Sequence, residues 1–175
     1  MTVELRHHTE LTARARRDLL AVYADVRAPL LHLPNYGVEA FLGRLDRHAD
    51  GPGFGLLLGY HGELPVGYVY GNTVDAADRY WTRLAEPPPA GFTDRPVLAL
   101  REIGVRAPWR GTGTARRLHD AFLDLRTEDR VTLMVNPLAG DGKVRALYET
   151  WGYRAFNSQP PSELSPGLAV MVRAR

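Results

Sequence analysis

The residues with the clearest chemistry lie in one stretch, Leu100 to Arg117, which reads Leu-Arg-Glu-Ile-Gly-Val-Arg-Ala-Pro-Trp-Arg-Gly-Thr-Gly-Thr-Ala-Arg-Arg. A strand pattern ends at Val105. Pro108 has no N–H and stops the ladder. Gly111 and Gly113 let the backbone turn tightly and approach a ligand closely. A helical pattern follows at once. The first N–H groups of a helix have no internal acceptors, and the helix dipole adds partial positive charge there. Strand, glycine turn and helix start in succession make an anion cradle suited to a diphosphate. Arg110 and Arg116 can add charge to it.

The spacing separates this loop from other phosphate loops. Gly-x4-Gly-Lys-Ser/Thr is absent, so it is not a P-loop. A dinucleotide fingerprint would need a small residue at 116, where arginine stands. The pattern present is Arg-x-x-Gly-x-Ala, over Arg110, Gly113 and Ala115. Other chemistries find less support. The chain has no cysteine, which excludes thiol nucleophiles, disulfides and Cys-ligated metals. His119-Asp120 suggests a dyad, but no Gly-x-Ser-x-Gly elbow accompanies it, and both residues read as helix surface. His7 and His8 lack metal-ligand spacing.

Composition bounds the rest. The chain has 175 residues, 45% hydrophobic and 24% charged, the balance of one ordinary globular domain. The net charge is +2 although the pI is about 9.1. Lys143 is the one lysine among 22 basic residues, and arginine keeps its proton past pH 12, so little titrates near neutrality. Arg106, Arg110, Arg116 and Arg117 form an acid-free cluster, enough for a phosphate-bearing cofactor but thin for a duplex. No nucleic-acid partner is expected. No apolar run approaches the roughly 20 residues of a membrane span, so no membrane partner is expected either. The first residues lack the basic-then-apolar order of a signal peptide, which predicts a cytoplasmic protein.

The elements that must position the loop follow from periodicity. Val3 to His8 predicts a first strand. Thr9 is the expected cap of a helix with Leu11, Ala15, Leu19, Val22, Tyr23 and Val26 on one stripe. Asn35 is the expected cap of a second, with Val38, Phe41, Leu42 and Leu45. Phe54 to Tyr60 and Pro65 to Asn72 predict a hairpin around His61-Gly62-Glu63. Residues 75–96, with Pro87-Pro88-Pro89, read as a long connection. Val97 to Val105 is a strand, Gly111 to Leu125 a helix with Ala115, Leu118, Phe122 and Leu125 on one face, and Val131 to Val135 a strand. Asp141 is the expected cap of a helix carrying Val144, Leu147, Tyr148 and Trp151. Tyr153 to Phe156 and Leu168 to Val172 are the last strands.

The loop resembles the coenzyme A pyrophosphate loop of the GNAT superfamily of N-acetyltransferases, whose pattern is Gln/Arg-x-x-Gly-x-Gly/Ala. The preceding Glu102-Ile103-Gly104-Val105 is similar to that family's fourth strand. Ala146-Leu147-Tyr148-Glu149, followed by Trp151-Gly152-Tyr153, is similar to its Leu-Tyr-Glu…Gly-Phe/Tyr signature. The order of elements matches over essentially the whole chain. The resemblance implies an α/β (α+β) fold: a mixed, largely antiparallel central sheet of about seven strands flanked by four helices. It implies one domain, 1–175, with the long connection at 75–96.

It also implies acetyl-CoA as cofactor and direct transfer of acetyl to a primary amine of a small molecule or peptide, with no metal. The alternative is an acyl-CoA-binding sensor without turnover. A homodimer is a further expectation, since dimers are frequent in that family. Main-chain groups of Ile103, Gly104 and Val105 would bind the pantetheine arm. Arg110, Gly111, Thr112, Gly113, Thr114, Ala115 and Arg116 would hold the diphosphate. Asn136 would contact pantetheine unless it only shapes a turn with Pro137, and Lys143 would reach a phosphate unless it only faces solvent. Tyr148 matches the tyrosine that hydrogen-bonds the coenzyme sulfur; a core aromatic is its other reading. Glu102 shares a strand face with Leu98, Leu100 and Gly104, which makes it the expected base; a salt bridge to an arginine is its alternative. Tyr36, Tyr80 and Trp81 fall in regions that line the acceptor side in the family, where aromatic faces hold amines, or else they cover the sheet.

Overall fold

The computed structural model describes residues 2–175. The chain divides into two compact units, Met1–Asn72 with Leu100–Arg126, and Thr73–Ala99 with Thr127–Arg175. The strands form a seven-stranded mixed sheet in the order β1-β2-β3-β4-β5-β7-β6.

The first unit opens with β1 (Glu4–His8), then α1 (Ala13–Val26) and α2 (Val38–Ala49). Two strands follow, β2 (Gly55–His61) and β3 (Leu64–Val74), whose last two residues belong to the second unit. β1, β2 and β3 pair antiparallel, with Leu5 opposite Gly59 and Leu57 opposite Val69. The unit also holds the end of β4 (Val97–Val105) and α4 (Thr114–Asp124). Helix α1 starts one turn later than expected. Thr12, not Thr9, is its cap, accepting from the Ala15 N–H at 3.2 Å. The cap of α2 is Gly37, not Asn35; the Asn35 carbonyl instead accepts from Arg44 Nη1 at 2.8 Å. Both helices bury their apolar stripes. Leu19, Val22, Tyr23, Phe41 and Leu45 are fully buried with Leu56 and Leu58 of β2, each worth roughly 1.5–3 kcal/mol of hydrophobic burial. The rings of Tyr23 and Phe41 stack at 3.6 Å.

Tyr60 of β2 is 2% exposed, and its hydroxyl donates to Asp18 at 2.8 Å. Burial first, then this hydrogen bond and the Asp18 charge, push the Tyr60 phenol up to about 12. An unfolded chain releases that proton near pH 10. The stabilisation is therefore complete below about pH 10 and is lost as pH rises through about 12. Urea denaturation followed across this window should show stability falling, and Tyr60→Phe should remove about 2 kcal/mol of the fall.

The second unit contains the start of β4, α3 (Arg79–Thr82), β5 (Arg130–Val135), α5 (Lys143–Thr150), β6 (Arg154–Gln159) and β7 (Leu168–Ala174). β4 pairs β5 in parallel at Leu98↔Val131 and Ala99↔Thr132. β5 and β6 each pair β7 antiparallel. A fifth helix, α3, stands in the connection where four helices in all were expected. It is a single turn, started by the Asp78 carboxylate accepting from the Tyr80 N–H at 2.8 Å, and too short to show a period. Tyr80, Trp81, Phe92, Val97, Ala99, Val170 and Val172 form this unit's core. No described helix is long and apolar enough to cross a membrane.

Candidate functional site

In the first unit the glycine turn is open. A single 3-10 turn, Ala107–Trp109, follows β4, and Gly111 and Gly113 adopt φ of 72° and 83°. These left-handed values explain why α4 starts at Thr114 rather than at 111. A side chain at either glycine would meet nothing within 4 Å. The turn is braced from within: Thr112 Oγ1 donates to the Trp109 carbonyl at 2.6 Å and lies 2.8 Å from Thr114 Oγ1. The helix ladder begins with Arg117 N donating to the Gly113 carbonyl at 2.9 Å. The amides before it stand where a helix supplies no acceptor of its own. Trp109 Nε1, just before the turn, is buried without a protein acceptor. A helix start with open space at both glycines and two hydroxyls beside it fits a diphosphate.

The nearby arginines are less free than their spacing suggested. Arg110 Nε donates to the Val105 carbonyl at 2.9 Å, tying the turn to the end of β4. Arg106 Nε donates to the Pro65 carbonyl at 2.8 Å and Arg117 Nη1 to the Val3 carbonyl at 2.6 Å. Arg116 Nε donates to Asp120 at 2.6 Å. Four guanidiniums read as one cluster therefore brace separate parts of the unit. Arg110 and Arg116 stay exposed beside the turn.

His119 is fully buried rather than on the surface, with Nδ1 2.8 Å from Asp120 Oδ1. Burial pushes the Asp120 carboxyl up, but the hydrogen bonds from Arg116 and His119 outweigh it and hold it below its usual range. The spacing Ala115, Leu118, His119, Phe122, Leu123 carries this placement. Leu125, expected on that stripe, is 49% exposed.

Glu102 sits on β4 in an ion pair, as its alternative reading anticipated. Arg27 Nη2 lies 3.2 Å from Glu102 Oε1, and the Tyr68 hydroxyl donates to the same oxygen at 3.0 Å. Neither partner was singled out in the sequence. Gly104 holds the one signal for Tyr68: a glycine inside a strand often marks close approach by another group. Arg27 left no signal. Gly104 and Val105 are buried and Ile103 is half-buried. Tyr36 is half-buried, with the Arg27 guanidinium 5.9 Å from its ring centre, and its carbonyl accepts from the Tyr23 hydroxyl at 2.8 Å.

In the second unit Tyr148 is buried on α5, its ring edge-on to Trp151 at 5.6 Å and to Tyr153 at 5.7 Å. Asn136 Oδ1 accepts from the Leu138 N–H at 3.0 Å, a local turn. Asp141 does not cap α5. It takes a left-handed φ of 55°, and Gly142 stands at the cap position instead. Lys143 opens α5 and is exposed. Tyr80 and Trp81 are core residues: the Tyr80 hydroxyl lies 3.0 Å from Thr132 Oγ1, and Trp81 Nε1 donates to the Asp75 carbonyl at 2.8 Å. Their rings cover the sheet, the second of their two readings.

No protein-family model matches the chain, and no curated protein matches it. Solved structures do match over its length. An acetyltransferase from Thermus thermophilus is 19% identical over 100% of this chain and 98% of its own, with a TM-score of 0.63. The ribosomal-protein-S18-alanine N-acetyltransferase from Escherichia coli is 13% identical over 99% and 94%, with a TM-score of 0.64. An Arabidopsis thaliana protein in complex with a bisubstrate analogue, CoA-Ac-MVNAL, is 14% identical over 100% of both chains, with a TM-score of 0.64. The chain has the fold of the GNAT N-acetyltransferases.

Proposed function

We propose that residues 1–175 act as one acetyl-CoA-dependent N-acetyltransferase domain, with a primary amine of a small molecule or peptide as acceptor. The observation that carries the reading is the open turn at Gly111 and Gly113, which leads into the start of α4 and has no atom within 4 Å of either glycine's missing side chain. The shared fold supports it, as do the N-acetyltransferase from Escherichia coli and the coenzyme-linked peptide held by the Arabidopsis thaliana protein.

Acetyl-CoA supplies an acyl carbon activated as a thioester. The chain's residues have three tasks. Amides and hydroxyls at 111–116 hold the diphosphate, with Arg110, Arg116 and Lys143 adding charge, while main-chain groups of Ile103, Gly104 and Val105 and the Asn136 side chain hold the pantetheine arm. Glu102 accepts the proton that the acceptor ammonium must lose before its nitrogen can attack. Tyr148 donates a proton toward the departing sulfur, since a phenol stays protonated at neutral pH. The new C–N bond forms as the C–S bond breaks, and the second proton shed by the acylated nitrogen balances the one Tyr148 gives to sulfur; no acyl-enzyme forms, since there is no cysteine to carry one. The half-buried Tyr36 is the aromatic for the acceptor in this reading; Tyr80 and Trp81 act only through packing.

Two measurements test this. A thermal shift with acetyl-CoA at a hundredfold excess over Kd should correspond to roughly 2.7 kcal/mol. Thiol release over an amine panel, with products identified by mass, should then show turnover; a shift without release would leave a sensor. Tyr148→Phe should lower kcat about 10–100-fold and change KM for acetyl-CoA far less. An unchanged kcat removes Tyr148 from the chemistry.

A further inference from the structure

We propose that Tyr68 and Arg27 are positioning residues for the Glu102 carboxylate, and that residue 104 is glycine so that the Tyr68 ring can reach that acid. The inference rests on the acetyltransferase reading, in which Glu102 accepts the amine's proton.

Three observations in the first unit carry it. Both donors meet the same oxygen: Tyr68 at 3.0 Å and Arg27 Nη2 at 3.2 Å, each on Oε1. Among the described residues Oε2 accepts no hydrogen bond, although the Glu102 side chain is only 15% exposed. One oxygen is anchored and the other is left with its lone pairs for a proton. Second, Gly104 makes the contact sterically permissible. A Cβ there would lie 2.8 Å from Tyr68 Cε1, 3.0 Å from Cζ and 3.1 Å from the hydroxyl oxygen. Residues 102 and 104 share a face of β4, so the phenol crosses the strand at the glycine and meets the acid one pleat away. Tyr68 is fully buried and cannot swing aside. Third, Arg27 is committed at a cost, because its Nε is buried without an acceptor while its Nη2 serves Glu102.

The groups whose charge bears on Glu102 are Tyr23 of α1 and Arg27 at its C-terminal cap, with Tyr68 and Tyr70 of β3. Burial, then the Glu102 charge, raises the Tyr68 phenol well above its ordinary value, so it remains a donor. Burial pulls the Arg27 guanidinium down, and Glu102 more than restores it. A hydroxyl donor and a cation on one oxygen fix where the carboxylate stands.

The test is kcat/KM for the amine, for Tyr68→Phe, Gly104→Ala, Arg27→Met and Arg27→Lys, each alone and combined with Glu102→Gln. Tyr68→Phe removes one oxygen and should still fold, which far-UV circular dichroism checks. Tyr68→Phe and Gly104→Ala should each lower kcat/KM about tenfold. Arg27→Met should do more, and Arg27→Lys should recover part of the loss. With Glu102→Gln already present, the same changes should cost less than about twofold, because the interaction they serve is gone. Equal losses in both backgrounds, or no recovery with Arg27→Lys, would show that Tyr68 and Arg27 only pack, and would overturn the inference while leaving the transferase reading in place. A wild-type chain that acetylates no amine overturns that reading, and this inference with it.

Discussion

Glu102→Gln is expected to lower kcat/KM for the acceptor amine by about 10²–10⁴-fold, the usual contribution of a positioned proton acceptor, while acetyl-CoA still binds. The substitution suits the site. Tyr68 and Arg27 both donate to one oxygen, so a glutamine can turn its carbonyl to the pair and place its NH₂ where Oε2 has no partner among the described residues. Shape is kept and the basic lone pair is lost. A secondary cost falls on Arg27, whose positive charge loses its counter-ion. With 30% of that side chain exposed, water offsets much of this, and about 1 kcal/mol of stability is expected to go. The measurement pairs a thermal shift with acetyl-CoA, which should persist, with thiol release, which should fall. Retained turnover would exclude Glu102 as the acceptor of the proton and point to a water chain.

What the sequence made legible follows from the range of each interaction. β4 could be read to the residue, Val97–Val105, because a mainly apolar segment, interrupted by Arg101 and Glu102, meets Pro96 on one side and Pro108 beyond the other. The hairpin of β2 and β3 was plain to within a residue or two, since its turn and both apolar runs are contiguous. The glycine turn was readable because its spacing is local. Helix starts were not. Thr9, Asn35 and Asp141 each have a capping side chain, yet Thr12, Gly37 and Gly142 hold the cap positions. Several residue types can cap, and tertiary packing selects among neighbours only a turn apart. His119 went inside because α4 buries a face two residues wide, which a single stripe through Leu125 understated. The contacts around Glu102 lay furthest from view. Arg27 is 75 positions away and Tyr68 is 34 away, separations at which no periodicity operates. Gly104 was the only local trace of that contact, and its meaning needed the ring that lies against it.

Gly113→Val is expected to abolish the acetyl-CoA thermal shift, the roughly 2.7 kcal/mol foreseen at a hundredfold excess over Kd. The cause is specific to this turn. Gly113 has φ of 83°, a conformation that a β-branched residue adopts only under strain, at a cost of about 1–3 kcal/mol. Because a side chain there meets nothing within 4 Å, the variant has room to fold, and the added methyl groups occupy the open surface instead. In the proposed complex that surface faces the diphosphate. Strain alone would lower Tm without touching ligand binding, so a matched control is needed. Gly62, in the β2–β3 turn, has φ of 60° and also nothing within 4 Å. Gly62→Val should lose comparable stability and keep the acetyl-CoA shift, whereas Gly113→Val should lose both. If the two variants respond to acetyl-CoA alike, the diphosphate does not rest on this turn, and the observation that carries the proposed function fails with it.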